Sequence, residues 1–187
     1  MNDSPFAPHW TTLASRWVYE NNWIRVREDE VITPTGSEGI YGVVKFRNRA
    51  VAIVPIDDEG HTWLVGQHRY PLDRFSWEVP MGGHPLDQEP RDGALRELAE
   101  ETGLRAAELT ELLRVDISNS ITDEQGIIYL ARDLTPGATD FDDTEDLAIR
   151  RVPFDEALAM AQDGRISDLM SVTALMSLAL RRKEFNL

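Results

Sequence analysis

The chain predicts an α/β protein in which helices sandwich a mixed sheet, with an antiparallel β-appendage in front. Three observations predict it. Strand-like and helix-like patterns mix along the 187 residues without strict βαβ alternation, which disfavours a doubly wound parallel sheet. Ile24 and Val26 alternate with Arg25 and Arg27 ahead of a turn cluster, the pattern of a half-buried hairpin. Short apolar runs such as Ala50–Ile56 (AVAIVPI) read as buried strands, whereas residues 90–102 read as a helix.

The elements follow in order. The first ten residues hold Pro5 and Pro8 and predict a loose tail. From Trp17 a strand pattern begins. Residues 34–39 (PTGSEG) form a turn, and Ile40–Phe46 is the returning strand. Ala50–Ile56 and Thr62–Gln67 predict two strands joined as a hairpin across Asp57-Asp58-Glu59-Gly60. Phe75–Val79 predicts a short extended piece, stopped by Pro80 and Gly82-Gly83. Pro90–Thr102 is the clearest helix, with Asp92 complementing the dipole at its start and Gly103 as its C-terminal cap. Its apolar face is Ala94, Leu95, Leu98 and Thr102. Glu111–Val115, Gly126–Ala131 and Leu147–Val152 predict strands, and Phe154–Gln162 a helix ended by Gly164. A closing helix over Ser167–Arg182 is expected to bury Leu169, Val172, Leu175, Met176 and Ala179.

Composition narrows the function. Asp and Glu number 33 against 19 Lys and Arg, a formal charge of −14. That argues against a nucleic-acid surface, whose affinity rests on basic residues neutralising phosphates. It leaves room for a small phosphorylated ligand screened by a metal ion. No cysteine is present, so disulfides, zinc-thiolate sites and thiol nucleophiles fall away. No apolar run approaches the roughly 18 residues of a membrane span. Residues 1–10 lack the basic and apolar regions of a secretory signal. The expectation is a cytoplasmic globular protein.

The chemistry concentrates in residues 82–104. Glu97, Glu100 and Glu101 stand at i, i+3 and i+4 on one helix face, roughly 5–6 Å apart at Cβ. Such like charges cost the helix roughly 0.2–0.5 kcal/mol per pair. Either water solvates that face or a hard divalent cation sits on it; Mg²⁺ takes oxygen ligands at roughly 2.0–2.1 Å and completes its shell with phosphate and water. A glycine turn before the helix, Arg96 beside the acids and Gly103-Leu104 after them favour the cation.

These positions resemble the Nudix hydrolase signature, G-x5-E-x7-R-E-U-x-E-E-x-G-U with U apolar. The match runs through Gly82, Arg96, Glu97, Leu98, Glu100, Glu101, Gly103 and Leu104, eight of nine defined positions. The departure is Gln88, where the family has Glu. The family's Glu braces the loop and the signature Arg; the Gln88 amide oxygen retains the capacity to accept from Arg96, and Glu89 is a neighbouring substitute. Three further segments are similar to the ADP-ribose and nucleoside-diphosphate-sugar pyrophosphatase branch. They are Leu64–Tyr70 (LVGQHRY), Ser76–Gly83 (SWEVPMGG) and Gly164–Asp168 (GRISD) before an Ala/Leu-rich helix.

The resemblance implies a Nudix-type α/β/α sandwich over residues 48–187, and over residues 1–47 a tail and β-appendage that build a homodimer. It implies Mg²⁺ or Mn²⁺ held by Glu97 and Glu101, assisted by Glu100 and the Met81 carbonyl, with Gly82, Gln88, Arg96 and Gly103 shaping the signature. Arg69, otherwise a surface arginine, becomes a diphosphate contact, and Glu78 a pocket carboxylate beside it. The acidic run Asp140–Asp146 is a solvated loop by composition; by resemblance it supplies the base or a metal ligand, Glu145 first and Asp143 second, with Glu100 also a catalytic candidate. Trp17, Tyr19 and Trp23 read as an interface anchor, or, for Tyr19 and Trp23, as a platform stacking a nucleobase. His9, His61, His68 and His84 show no metal-ligand spacing, with His68 and His84 placed near the pocket mouth. The implied reaction is metal-dependent hydrolysis of a nucleoside diphosphate linked to a sugar or ribose, giving a nucleoside monophosphate and a sugar phosphate. The alternatives are a catalytically silent sensor of nucleotide sugars, and a Nudix hydrolase for dinucleoside polyphosphates or coenzyme A.

Overall fold

Side-chain alternation along two central strands decides the architecture of the larger unit. The structure, a computed structural model, describes residues 9–139 and 147–187. The chain divides into two units, one formed by the N-terminal segment to Arg47 with Ser118–Glu124, the other by Asn48–Ile117 with Gln125–Leu187.

The first unit is a three-stranded antiparallel sheet in the order β1 (Thr11–Glu20), β2 (Ile24–Ile32), β3 (Glu38–Phe46). Asn21 turns the chain between β1 and β2, its Oδ1 accepting the backbone N–H groups of Trp23 and Ile24 at 2.8 Å each. Strand β1 begins at Thr11, six residues before the sequence pattern suggests. All its residues are exposed, so no alternation betrays it. Residues 118–124 join this sheet: Val44 N–H donates to the Ile121 carbonyl at 2.8 Å, the Tyr41 hydroxyl to the Ser120 carbonyl at 2.5 Å, and Lys45 pairs with Asp123.

In the second unit, β4 (Asn48–Pro55) lies between β7 (Met81–Pro85) and β9 (Gln125–Pro136), antiparallel to the first and parallel to the second; β8 (Leu104–Asp116) completes the sheet beside β9. Alternate residues of β4 and β9 face opposite ways. Ala52, Val54, Ile128 and Leu130 pack with helices α2 (Phe154–Gln162) and α3 (Leu169–Leu180). Val51, Ile53, Ile127 and Tyr129 pack with Ala94 and Leu98 of α1 (Pro90–Thr102). Each fully buried Leu, Ile or Val contributes about 1.5–3 kcal/mol, so helices on both faces are what this doubly apolar sheet requires. A second, antiparallel sheet runs β10 (Ala148–Pro153), β5 (His61–Arg69), β6 (Arg74–Glu78).

Three expectations are corrected. The strands at 50–56 and 62–67 are not a hairpin: both edges of β4 are taken by β7 and β9, so β5 turns into the other sheet. Gly82-Gly83 does not stop extended structure but lies within β7. The closing helix buries Met170, Ser171, Ala174, Leu175 and Leu178, while Leu169 and Met176 are exposed. Its sequence, LMSVTALMSLAL, is apolar nearly all round and gives periodicity no face to choose. The helix also ends at Leu180, with a short α4 (Arg182–Phe185) after it.

Candidate functional site

Residues 78–82 carry the chain from β6 in one sheet to β7 in the other, and the site is built along this crossing. Glu78 ends β6 and is 4% exposed. Arg69 ends the neighbouring strand β5 and grips it fork to fork, with Nε on Glu78 Oε1 at 3.0 Å and Nη2 on Oε2. That hydrogen-bonded carboxylate raises the Arg69 pKa against the opposing effect of burial, and the charges of Asp168 and Glu101 push the same way. A cleft of about 190 Å³ opens here, lined by Arg69, Arg74, Ser76, Glu78, Ser167 and Asp168 among others.

Beyond the crossing stand the helix carboxylates. Glu101 is 2% exposed and accepts the Met81 backbone N–H at 2.9 Å. Glu97 lies under Gly82, so close that a Cβ there would overlap its carboxyl group. Only glycine fits over that carboxylate. Glu100 points outward, its side chain 39% exposed, with one oxygen 3.4 Å from Arg96 Nε. Arg96 donates to Glu97 at 2.6 Å and to the Gly83 carbonyl at 3.2 Å. The hydrogen bond to Glu97 raises the Arg96 pKa, with burial opposing it. Gly103 ends the helix at φ +70° and returns its N–H to the Ala99 carbonyl at 2.9 Å. The carboxylates are hard oxygen donors, and only the bare backbone of Gly82 lies over Glu97. This set fits a hard divalent cation and not a soft one.

The predicted residues distribute as follows. Arg69, Glu78, Met81, Gly82, Glu97 and Glu101 meet at the crossing, with Glu100 and Arg96 on its outer side. Gln88 does not brace Arg96: it is exposed in the turn before α1, and the Arg96 hydrogen bonds go to Gly83 and Glu97. His84 is not at a pocket mouth; it is 2% exposed, its ring packed against Gly93 of α1. His68 is exposed, 3.5 Å from Asp73. Tyr19 and Trp23 belong to the first unit, where both rings are exposed and the Asn21 side chain donates to the Tyr19 hydroxyl at 3.3 Å. Trp17 carries the Arg25 guanidinium 3.7 Å from its ring centroid. Asp143 and Glu145 lie outside the described residues.

Sequence reasoning missed three groups. Arg74 and Asp168 line the cleft. Ser171 is fully buried behind it; α3 also carries the hydroxyls of Thr173 and Ser177, so no signal in the sequence singles it out. The structure also gathers Asp57, Glu59 and His61, whose ligand atoms lie within 4.8 Å of one another. Arg151 bridges the two acids of that group, at 2.5 and 2.6 Å.

Residues 46–170 match the NUDIX domain, and residues 10–44 the nucleoside diphosphate sugar hydrolase N-terminal domain. The chain is 30% identical over 172 residues to an ADP-ribose pyrophosphatase of Bacillus subtilis, covering 91% of this chain and 92% of that one. It is 31% identical over 169 residues to an ADP-ribose pyrophosphatase of Mycobacterium tuberculosis, covering 89% and 81%. A crystal structure of an ADP compounds hydrolase shares the fold with a TM-score of 0.86 at 24% identity, over 97% of this chain and 98% of that one.

Proposed function

The chain belongs to the Nudix family, and from that premise we propose that it hydrolyses the pyrophosphate bond of a nucleoside diphosphate linked to a sugar or ribose, releasing a nucleoside monophosphate and a sugar phosphate. The observation that carries the reading is the crossing at 78–82. It sets the Arg69 guanidinium and a cleft on one side and two carboxylates, Glu97 and Glu101, on the other, with Met81 N–H fastened to Glu101 at 2.9 Å. The relatives named ADP-ribose pyrophosphatase favour the same substrate class.

In this reading Glu97 and Glu101, assisted by Glu100 and the Met81 carbonyl, hold Mg²⁺ or Mn²⁺. An ion held by these residues would supply neutralisation of the diphosphate charge and a lowered pKa for water. Arg69 holds phosphate through paired donors while Glu78 fixes its orientation. Glu145, or Asp143, takes the proton from water. Arg96 keeps Glu97 facing the loop. Gln88 gives no ground for a silent domain, because Gly83 and Glu97 already hold Arg96. The enzyme acts as a cytoplasmic homodimer, with exposed Leu13, Trp17, Val18 and Trp23 of the first unit offering the apolar surface. Among the described residues no helix is long and apolar enough to cross a membrane.

Phosphate-release assays with ADP-ribose, ADP-glucose, GDP-mannose and UDP-glucose test the reading. Turnover of at least one, lost on chelation and restored by Mg²⁺ or Mn²⁺, is expected. Turnover of dinucleoside polyphosphates or coenzyme A alone, or of nothing, would overturn it.

A further inference from the structure

Resting on that reading, we propose that Ser171 is a positioning residue for the reaction: its buried hydroxyl fixes the spacing between the Arg69–Glu78 pair and the carboxylates of α1.

Backbone hydrogen bonding across residues 79–81 gives the hydroxyl this role. Strand pairing ends with Val65 opposite Glu78, so the Val79 N–H has no ladder partner, although Val79 is wholly buried. A buried N–H left without an acceptor costs about 1–3 kcal/mol. Here it donates to Ser171 Oγ at 3.0 Å. The next residue, Pro80, has no N–H, and its carbonyl accepts from Ile53 at 2.9 Å. Met81 N–H goes to Glu101 at 2.9 Å. The crossing is therefore fastened at three successive residues, to α3, to the central strand β4 and to α1.

Ser171 acts from a fixed position. Its hydroxyl donates to Asp168 Oδ2 at 2.8 Å, and its backbone N–H donates to the same oxygen at 2.8 Å. With its proton committed to Asp168, the hydroxyl presents a lone pair to Val79. Asp168 caps α3 and lines the same cleft as Arg69 and Glu78. The residue before Val79 carries the guanidinium pair, and the third residue after it, Gly82, covers Glu97. Releasing Val79 lets Glu78 and Arg69 shift while Met81 stays on Glu101, and the diphosphate loses its register with the carboxylates.

The test uses the full chain with ADP-ribose and saturating Mg²⁺, at a temperature where circular dichroism shows every variant folded. Ser171→Ala is expected to lower kcat by about tenfold or more with KM within about threefold, as sub-ångström to ångström displacements of a bound group do. Ser171→Cys, of similar size but a weak acceptor, is expected to lie between it and the wild type, and it carries the test if the alanine variant does not fold. Ala174→Gly weakens the same helix without touching the hydroxyl, and should lower Tm but leave kcat within about twofold. In the wild type without metal, the Val79 amide should exchange slowly with solvent deuterium, and in the Ser171 variants fast. A kcat unchanged in the Ser171 variants, an equal loss in Ala174→Gly, or a fast-exchanging Val79 amide in the wild type would each overturn the inference. Those failures presuppose an active wild type. A wild type inactive on every nucleoside-diphosphate substrate would overturn the reading beneath it.

Discussion

Two acid groups in the larger unit resemble each other in composition and differ in what surrounds them. Glu97 and Glu101 lie on α1; Asp57 and Glu59 lie in the turn between β4 and β5 with His61. Each group has an arginine on it, Arg96 in the first and Arg151 in the second. In the turn the acids are spent on local structure. Asp57 Oδ1 accepts the N–H groups of Glu59 and His61 at 3.0 and 2.9 Å, and Arg151 clamps the other oxygen while lying 5.5 Å from the Trp63 ring centroid. On the helix, Arg96 reaches Glu97 and Glu100, while Glu101 accepts the Met81 backbone N–H of the crossing. The tighter cluster by distance is thus the weaker candidate for a metal. In the turn both acids are taken up by Arg151 and the chain's own N–H groups, whereas on α1 Glu97 lies under the bare backbone of Gly82 and Glu101 holds the crossing.

The contrast can be broken most decisively at Glu101. Glu101→Gln should lower kcat at saturating Mg²⁺ by about 100-fold or more, the loss expected when charge that stabilises a phosphoryl transition state goes. Asp57→Asn should leave kcat within about twofold; equal losses in steady-state assays would erase the distinction. Gly82→Ala comes next, because its new Cβ meets the Glu97 carboxyl group. A fall in kcat of about tenfold or more is expected, with a higher Mg²⁺ requirement read from activation curves. Gln88→Glu should change kcat by less than about tenfold, or roughly 1.4 kcal/mol, since the residue is exposed and Arg96 is held elsewhere. The smallest effect is on stability: Asp57→Asn should lower Tm by about 2–4 °C near neutral pH. Its pH dependence has a definite sign. Burial raises the Asp57 pKa, but the His61 N–H, Arg151 and the Glu59 N–H outweigh it and hold the carboxyl below its ordinary value. The stabilisation is therefore complete above that ordinary value and is lost as pH falls through the lowered one. Melting curves of wild type and Asp57→Asn should converge in acid.

Where local chemistry decides structure, the sequence was readable. Pro90 at the first helical position, Asp92 in the first turn and Gly103 in the left-handed region bound α1, and the expected and observed limits coincide. The limits of α2 coincide as well. Where a choice depends on distant partners, it was not readable. Nothing within residues 50–67 says that β4 has both edges occupied, so the tight turn at Asp57–Gly60 read as a hairpin. The buried face of α3 packs on strands far away in sequence and carries the acceptor for Val79, ninety-two positions away. Gly82-Gly83 read as a break because glycine is poor in strands, yet here its lack of a side chain is what lets a strand lie on Glu97. The spacing of Glu97 and Glu101 placed both on one helix face, but not the outward turn of Glu100 or the cleft residues Arg74 and Asp168.

The tip of the β8–β9 hairpin has a consequence for anyone recombining this protein with a relative. Residues 118–124 sit in sequence within the larger unit but are fastened to Tyr41, Val44 and Lys45. A chimera joined once, after Arg47, would pair a foreign N-terminal sheet with a native tip and strand those bonds. A second crossover, exchanging the tip together with the sheet, keeps each parent's contacts whole.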